Sequence, residues 1–298
     1  SHPSQVMFCS DDKHPDELAL GHINLHVRRA IAEGANLFNV LRAACLNAVE
    51  HYRLPVGRLR AGDPADLILV SDLRDFSIER VYIDGQLVAE NGRSLIQPMP
   101  PVPINHFQCA ASKPTDFRLP VTGKMSSVSV RVIEAIDGSL VTGESRTQLD
   151  VIDGEVASNV AADVLKIVVV NRYRSAPPAV AFIRGFGLKA GAIASSVAHD
   201  SHNILAVGVA DDSISRAVNQ VIATHGGIAA TDGEADHFLP LPIAGIMSDR
   251  DGAWVAEQYQ RIDRFVKESL QSPLAAPFMT LSFMALLVIP KLKLSDLG

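Results

Sequence analysis

Residues 192–209 read AIASSVAHDSHNILAVGV, and this stretch decides the fold of the second half of the chain. Its two apolar segments, 192–197 and 204–209, have the length and composition of buried β-strands. The polar residues HDSHN, at 199–203, lie between these segments and form what we call the polar loop. The pattern predicts two strands of a buried sheet, joined by a loop that carries two imidazoles and a carboxylate.

The segments around this stretch extend the strand-rich pattern. Residues 164–170 form a nearly continuous β-branched run, and residues 128–132 alternate between apolar and polar with a period of two. Apolar residues at helical spacing predict helices over about 214–222 and 253–270. Together these elements predict an α+β domain over residues 118–298.

The first part of the chain has an α/β pattern. The apolar residues 6–9 predict a short buried strand, with Asp11 and Asp12 at its C-terminal tip. Two helices follow: the first has one apolar face over residues 23–31, and Asn36 is a suitable N-cap for the second. Because an apolar strand already occurs here and the chain does not begin with methionine, we expect it to be the downstream part of a longer protein.

The middle of the chain predicts a small β unit. Residues 57–66 are rich in turn formers and lead into a predicted buried strand at 67–70. Asp84 and Gly85 separate two apolar runs, as in a hairpin with a type I′ turn. Several prolines between 98 and 103 then predict a stiff linker. The predicted domains are residues 1–53, 54–117 and 118–298.

Composition excludes several classes of protein. The 298 residues are 47% hydrophobic and 20% charged, as in a globular protein, and a formal net charge of −6 gives no support to nucleic-acid binding. No apolar run reaches the roughly 18 residues that a membrane span needs. The 3 cysteines are widely spaced and form no CxxC motif, which favours a reducing, cytoplasmic environment.

Two groups of polar residues are candidates for a functional site. Adjacent carboxylates at the end of a buried strand, Asp11 and Asp12, are costly unless a metal, an arginine or backbone N–H groups compensate them. The alternative is a turn or helix cap. The polar loop could bind a metal or orient a substrate. Its alternative is a turn in which Asp200 and Asn203 bond their own backbone.

Other motifs are absent or incomplete. His22 and His26 have the spacing of a zinc protease, but no glutamate follows the first histidine. Residues 185–191, GFGLKAG, match neither nucleotide-binding glycine motif and predict a tight turn. The chain contains no Gly-x-Ser-x-Gly motif, so a serine hydrolase has no support.

Longer stretches resemble known families. Residues 8–15 (FCSDDKHP) and 43–48 (AACLNA) resemble the last barrel strand and following helices of the amidohydrolase superfamily. Residues 57–68 resemble the return of such chains into a small β-sandwich. Further stretches resemble the C-terminal domain of bacterial adenine deaminases: residues 185–188, 194–203, 239–245 and 277–283.

The resemblance implies a fold and a reaction. The fold would combine the last strand and helices of a (β/α)8 barrel, a β-sandwich segment and an α+β C-terminal domain. The reaction would convert adenine and water to hypoxanthine and ammonia, through attack of a metal-activated hydroxide on C6 of the purine. Two divalent metal ions, manganese or iron, would serve as cofactors.

The resemblance also implies roles for individual residues. Asp11 would be a metal ligand and accept a proton from the attacking water, and Asp12 would be a neighbouring catalytic or substrate-side group. The polar loop would contact the substrate or an accessory metal through His199, Asp200, His202 and Asn203.

The chain departs from the superfamily pattern in one respect. No His-x-His sequence occurs in it, although the pattern requires one on the first barrel strand. We therefore expect an upstream barrel half as partner, a homo-oligomeric cytoplasmic enzyme, and no nucleic-acid or membrane partner. Two alternatives stay open: another amidohydrolase acting on cyclic amides, and a non-catalytic interaction module.

Overall fold

The computed structural model describes residues 2–102 and 104–298. Its contacts divide the chain into two compact units, Ser1–Pro100 and Pro101–Gly298, which we call the N-terminal unit and the C-terminal unit. The three predicted domains stay a prediction. Residues 101–117 belong to the C-terminal unit. Phe117 is fully buried in it, and the Asn105 amide donates a hydrogen bond to the Pro242 carbonyl at 2.9 Å.

The N-terminal unit consists of short helices followed by a small sheet. Its helices are α1 (Pro15–Leu20), α2 (Ile23–Ala32), α3 (Leu37–Leu41) and α4 (Asn47–Tyr52), with a 3-10 turn at Pro3–Gln5 and a π-helical turn at Arg42–Leu46. Its strands are β1 (Leu67–Val70), β2 (Ile78–Ile83), β3 (Gln86–Glu90) and β4 (Arg93–Ser94). Among the described residues these strands form a four-stranded antiparallel sheet in sequence order.

Two local predictions for this unit are confirmed. The Asn36 side chain accepts hydrogen bonds from the backbone N–H groups of Phe38 and Asn39, so it caps α3. Asp84 and Gly85 join β2 to β3 with φ values of 49° and 75°. A type I′ turn needs positive φ at both central positions, and aspartate and glycine tolerate it.

Two other predictions for this unit are wrong. Residues 6–9 form no β-ladder: Val6 is 51% exposed, and the Phe8 N–H donates to the Ala43 carbonyl of a helical turn. A strand exists only where a neighbour pairs with it, and no described strand lies beside this segment. β1 is a strand as predicted but it is not buried, because it lies at the edge of a small sheet and leaves Ile68 and Leu69 partly exposed.

The C-terminal unit is built on one large sheet. Its strands are β5 (Ser127–Glu134), β6 (Gly143–Ile152), β7 (Glu155–Val156), β8 (Leu165–Val170), β9 (Ala179–Arg184), β10 (Ala192–Ser195), β11 (Ile204–Gly208), β12 (Gly227–Thr231) and β13 (Asp236–Pro240). Its helices are α5 (Asp211–Ala223), α6 (Gly252–Glu268) and α7 (Pro277–Phe283), with a 3-10 turn at Pro114–Phe117. The described strands form a nine-stranded sheet in the order β13-β12-β10-β11-β8-β9-β5-β6-β7. Its pairs are antiparallel, except that β5 and β9 are parallel.

Helices cover both faces of the central strands. On one face, Val168 and Ala206 pack in a cluster with the apolar side of α5. On the other, Ile167 and Val207 pack in a cluster with α6 and α7. Since alternate residues of a strand point to opposite faces, every residue of β8 is buried. The continuous apolar runs of the sequence are therefore confirmed as strands buried on both sides.

The strand directions bring several loops to one end of the sheet. β8 and β10 run in one direction, while β11 and β12 run in the other. The residues after β8, the polar loop between β10 and β11, and the turn before β12 consequently share that end. The tight turn predicted at 185–191 is wrong: this segment is a longer loop from β9 to β10, which β8 and β11 separate in the sheet. The Asp163 carboxylate holds the start of the loop by accepting the N–H groups of Gly185 and Gly187. In the described part of the chain, no helix has the length and apolar character to cross a membrane.

Candidate functional site

Asp11 and Asp12 lie on an exposed turn of the N-terminal unit. Asp11 has φ 54°, in the left-handed region, where a short polar side chain that bonds locally is tolerated. Its Oδ1 accepts the backbone N–H of Asp12 at 2.9 Å. Its Oδ2 makes no hydrogen bond to the described residues. The Asp11 carboxylate is therefore held from one side and has one oxygen open to a ligand.

The turn is attached to the start of α2. The Ser10 hydroxyl and His22 Nε2 are 2.6 Å apart, and the Lys13 ammonium donates to the Gly21 carbonyl at 3.1 Å. His22 occupies the N-cap position of α2. In the sequence, His22 was distinguished only by its spacing from His26, because its pairing with Ser10 depends on how the turn folds back.

The described residues supply only part of a metal site. Among them, no group of three or more histidine, cysteine, aspartate or glutamate side chains converges to hold an ion. One oxygen of Asp11 fits the chemistry of a single ligand to a divalent cation. A pair of metal ions needs more ligands than this carboxylate provides.

The polar loop is a compact turn in the C-terminal unit. The His202 N–H donates to the Ala198 carbonyl at 2.7 Å, and His202 Nδ1 accepts the Ala198 N–H at 3.4 Å. The His199 N–H donates to the Ser282 carbonyl, and its ring stacks on Phe283 with centroids 5.0 Å apart. The two imidazole rings are 6.1 Å apart. The loop thus brings His199 and His202 together at the end of the sheet.

Asn203 and Asp200 have different surroundings. Asn203 is buried, and its Oδ1 accepts the backbone N–H of Arg172, which follows β8, at 3.2 Å. Asp200 is exposed at the tip of the loop. The Asn203 side chain therefore bonds the segment after a neighbouring strand rather than the backbone of its own loop, so residues outside the loop hold it in place.

Sequence reasoning missed the residues that provide this anchor, Arg172 and Tyr173. The Tyr173 hydroxyl donates to the Ser201 carbonyl at 2.6 Å, and the Arg172 guanidinium donates to the Tyr173 hydroxyl at 3.0 Å. Their signal in the sequence is Asn171-Arg172-Tyr173, a polar stretch directly after the apolar run of β8. Charged residues at the end of a fully buried strand are unusual enough to mark a candidate site.

The surroundings of His202 lower the pKa of its imidazole below the ordinary value of 6.5. Partial burial is the largest cause, and the nearby His199 and Arg172 add to it, whereas Asp200 acts in the opposite direction. His202 is therefore neutral near pH 7. A neutral imidazole has one acceptor and one donor nitrogen, and Nδ1 of His202 already accepts the Ala198 N–H, so its Nε2–H remains as a donor.

Comparison with known families identifies both parts of the chain. Residues 139–298, more than half of the chain, match the model of the family described as the adenine deaminase C-terminal domain. The chain belongs to this adenine deaminase C-terminal domain family. Residues 3–88 match the amidohydrolase family. The polar loop lies inside the adenine deaminase match, and Asp11 and Asp12 lie inside the amidohydrolase match. The resemblance seen in the sequence is confirmed.

Curated relatives agree with the family match. A protein named adenine deaminase from Sulfurovum sp. (strain NBC37-1) is 54% identical over 100% of this chain, which covers 54% of that relative. Relatives of the same name occur in Salinibacter ruber, at 52% identity over 99% of the chain, and in Borreliella burgdorferi, at 43% over 98%. The chain spans about half the length of these relatives.

Proposed function

We propose that this chain is part of an adenine deaminase, a hydrolase that converts adenine and water to hypoxanthine and ammonia. The observation that carries the proposal is the match of residues 139–298 to the adenine deaminase C-terminal domain. Relatives that bear the name adenine deaminase align along the whole of this chain, which supports it. Another amidohydrolase acting on cyclic amides is less well supported, because the match to the general amidohydrolase family covers only residues 3–88.

Asp11 is the residue to which we assign the chemistry within this chain. Its open Oδ2 suits it to hold a metal and to accept the proton released by the attacking water. Asp12, whose N–H fixes the other oxygen, orients Asp11, and we assign it to the substrate side. A pair of divalent metal ions, manganese or iron, would supply an activated water and Lewis-acid chemistry. The remaining ligands belong to an upstream barrel half with a His-x-His motif, which we propose as the partner of this chain.

The polar loop is assigned to substrate binding rather than to an accessory metal. Since Nδ1 of the neutral His202 accepts the Ala198 N–H, its Nε2–H is left to donate a hydrogen bond, which suits an acceptor ring nitrogen of a purine. His199 is stacked on Phe283 and adds a planar surface. Asn203 fixes the base of the loop, and Asp200 lies at its tip.

A direct assay tests the proposed reaction. The complete protein that contains this chain is incubated with adenine and, separately, with hydantoins, and ammonia and hypoxanthine are measured before and after removal of divalent metals by a chelator. We expect turnover of adenine, loss of turnover on chelation, and recovery on addition of manganese or iron. Turnover of hydantoins without turnover of adenine would overturn the proposal in favour of a cyclic-amide hydrolase.

An interaction module is the second candidate, favoured by exposed apolar side chains in the N-terminal unit. Leu20 is 78% exposed, Phe38 72% and Leu59 77%. Such residues mark surfaces that associate with another protein surface. Sedimentation of the complete protein measures this association. For the enzyme as well, we propose a cytoplasmic homo-oligomer that binds no nucleic acid. A complete protein that associates but turns over no substrate would favour the interaction module over the enzyme.

A further inference from the structure

Arg172 is a buried cation whose presence is not explained by stability. It is 5% exposed, and no carboxylate of the described residues lies within ion-pair distance of its guanidinium. Its Nε is buried without a hydrogen-bond partner in the described chain. Burying a charge without an opposite charge, and with one donor unsatisfied, is unfavourable. A role beyond stability is the better explanation for an arginine at this position.

The guanidinium connects three loops at one end of the sheet. Its Nη1 donates to the Ala244 carbonyl at 2.8 Å, and its Nη2 donates to the Tyr173 hydroxyl at 3.0 Å. That hydroxyl in turn donates to the Ser201 carbonyl in the polar loop, at 2.6 Å. The backbone N–H of Arg172 also holds the Asn203 side chain. Arg172 and Tyr173 thus attach the polar loop at two points, Ser201 and Asn203, in addition to its contact with Ser282 through the His199 N–H.

The surroundings keep the guanidinium in place. It lies 4.7 Å from the centroid of the Tyr173 ring and 5.5 Å from that of Phe107, distances typical of cation–π contacts. Gly245, with φ 74°, lies directly against it: a Cβ at this position would be 1.7 Å from Arg172 Nη1. Only a glycine leaves room for the guanidinium here.

We propose that Arg172 and Tyr173 are positioning residues that hold the polar loop in one conformation, so that His199 and His202 are ready to bind a planar nitrogen heterocycle. The hydrogen bonds from Ala244 through Arg172 and Tyr173 to Ser201 carry this role. The identity of the heterocycle as adenine rests on the proposed function. The attachment of the loop does not.

Tyr173→Phe is the mildest test, since it keeps the ring beside Arg172 and removes only the hydroxyl. We expect the KM for adenine to rise about tenfold, because the hydrogen bonds of the hydroxyl with Ser201 and Arg172, which preorder the loop, are lost, while kcat changes by less than about twofold. Tyr52→Phe is the matched control, because Tyr52 is 65% exposed on α4 of the N-terminal unit. An unchanged KM in Tyr173→Phe would overturn the kinetic role.

A spectroscopic measurement reports on the loop without relying on activity. In the complete protein labelled with ¹³C at histidine Cε1, Tyr173→Phe should move the resonances of His199 and His202 toward those of mobile histidines. The resonance of His51, on α4, should stay in place. Gly245→Ala, which displaces the guanidinium, should move the same two resonances while Tyr173 is intact. Unchanged His199 and His202 resonances in both variants would overturn the proposal.

The two measurements separate the two proposals. Shifted histidine resonances in a protein that does not deaminate adenine would support the positioning role and reject the proposed function. Deamination of adenine with unchanged resonances and unchanged KM in both variants would support the function and reject the positioning role.

Discussion

The N-terminal unit and the C-terminal unit bury their apolar side chains to different extents. The N-terminal unit has a small core around Val27 of α2, Val40 of α3 and Phe76, which lies between β1 and β2. Leu20 of α1 and Phe38 of α3 are 78% and 72% exposed. In the C-terminal unit, by contrast, every residue of β8 is buried between helices on both faces of the sheet.

Two units with similar fractions of apolar residues can therefore differ in how completely they bury them. A strand in the middle of a covered sheet has two strand neighbours and two helical layers, so no apolar side chain on it meets water. A short helix beside a small sheet covers only one side. The N-terminal unit therefore presents apolar surface suitable for a partner, and the C-terminal unit supplies a rigid frame for the polar loop.

The largest expected effect is on kcat and concerns the catalytic role assigned to the N-terminal unit. We expect Asp11→Asn to lower kcat for adenine about a thousandfold in the complete protein, because the amide cannot accept the proton from water. Asn tolerates the φ of 54° at this position, so the turn should survive. Asp84→Asn is the matched control, since Asp84 has φ 49° in the β2–β3 turn of the same unit. Retained activity in Asp11→Asn would move the proton transfer to another residue.

A smaller effect tests the difference in packing directly. Ile167→Ala in β8 should lower the free energy of unfolding by about 2–5 kcal/mol, because a fully buried side chain leaves a cavity. Ile68→Ala in β1 should cost less than about 1 kcal/mol, since Ile68 is 47% exposed. Urea unfolding, followed by circular dichroism, measures both. Equal losses for the two variants would show that β1 is covered in the complete protein.

The smallest expected effect concerns pH. The pKa of His202 is lowered in the folded chain, so the unfolded chain takes up a proton first as the pH falls through 6.5. Stability of the C-terminal unit should therefore decrease below that pH, and His202→Gln should remove this part of the decrease. Asp200→Asn should extend the decrease to lower pH, because Asp200 raises the pKa of His202. Urea midpoints at about pH 7.5 and about pH 5.5 provide the comparison. Identical pH dependence in the parent and His202→Gln would contradict the assigned surroundings.

Local patterns in the sequence predicted elements that depend on neighbouring residues alone. The cap at Asn36 and the turn at Asp84 are of this kind, because their hydrogen bonds and backbone angles are set within a few residues. β8 was predictable from its apolar run, because a strand that is buried on both faces needs apolar side chains at nearly every position. The strand predicted at residues 6–9 failed, because pairing depends on a neighbour that its own composition does not describe.

The candidate site was predictable only in part. The polar loop and the Asp11–Asp12 pair were singled out by their unusual polarity next to apolar segments, and their roles in catalysis and binding stay predictions. Arg172 and Tyr173 were missed. Their contacts with Ala244 and Ser201 join residues far apart in the chain, and such contacts leave no regular spacing in a sequence.

The sequence by itself determined the family of this chain, the buried strands and long helices of the C-terminal unit, the cap at Asn36 and the turn at Asp84, because each of these depends on residue order and short-range chemistry. The tertiary structure decided which side chains meet. It set the order of the nine described strands of the large sheet and left β1 exposed at a sheet edge. It also placed the Arg172 guanidinium against Gly245 and, through Tyr173, under the polar loop. Those outcomes depend on long-range packing, which the chain acquires only when separate segments come together in the fold.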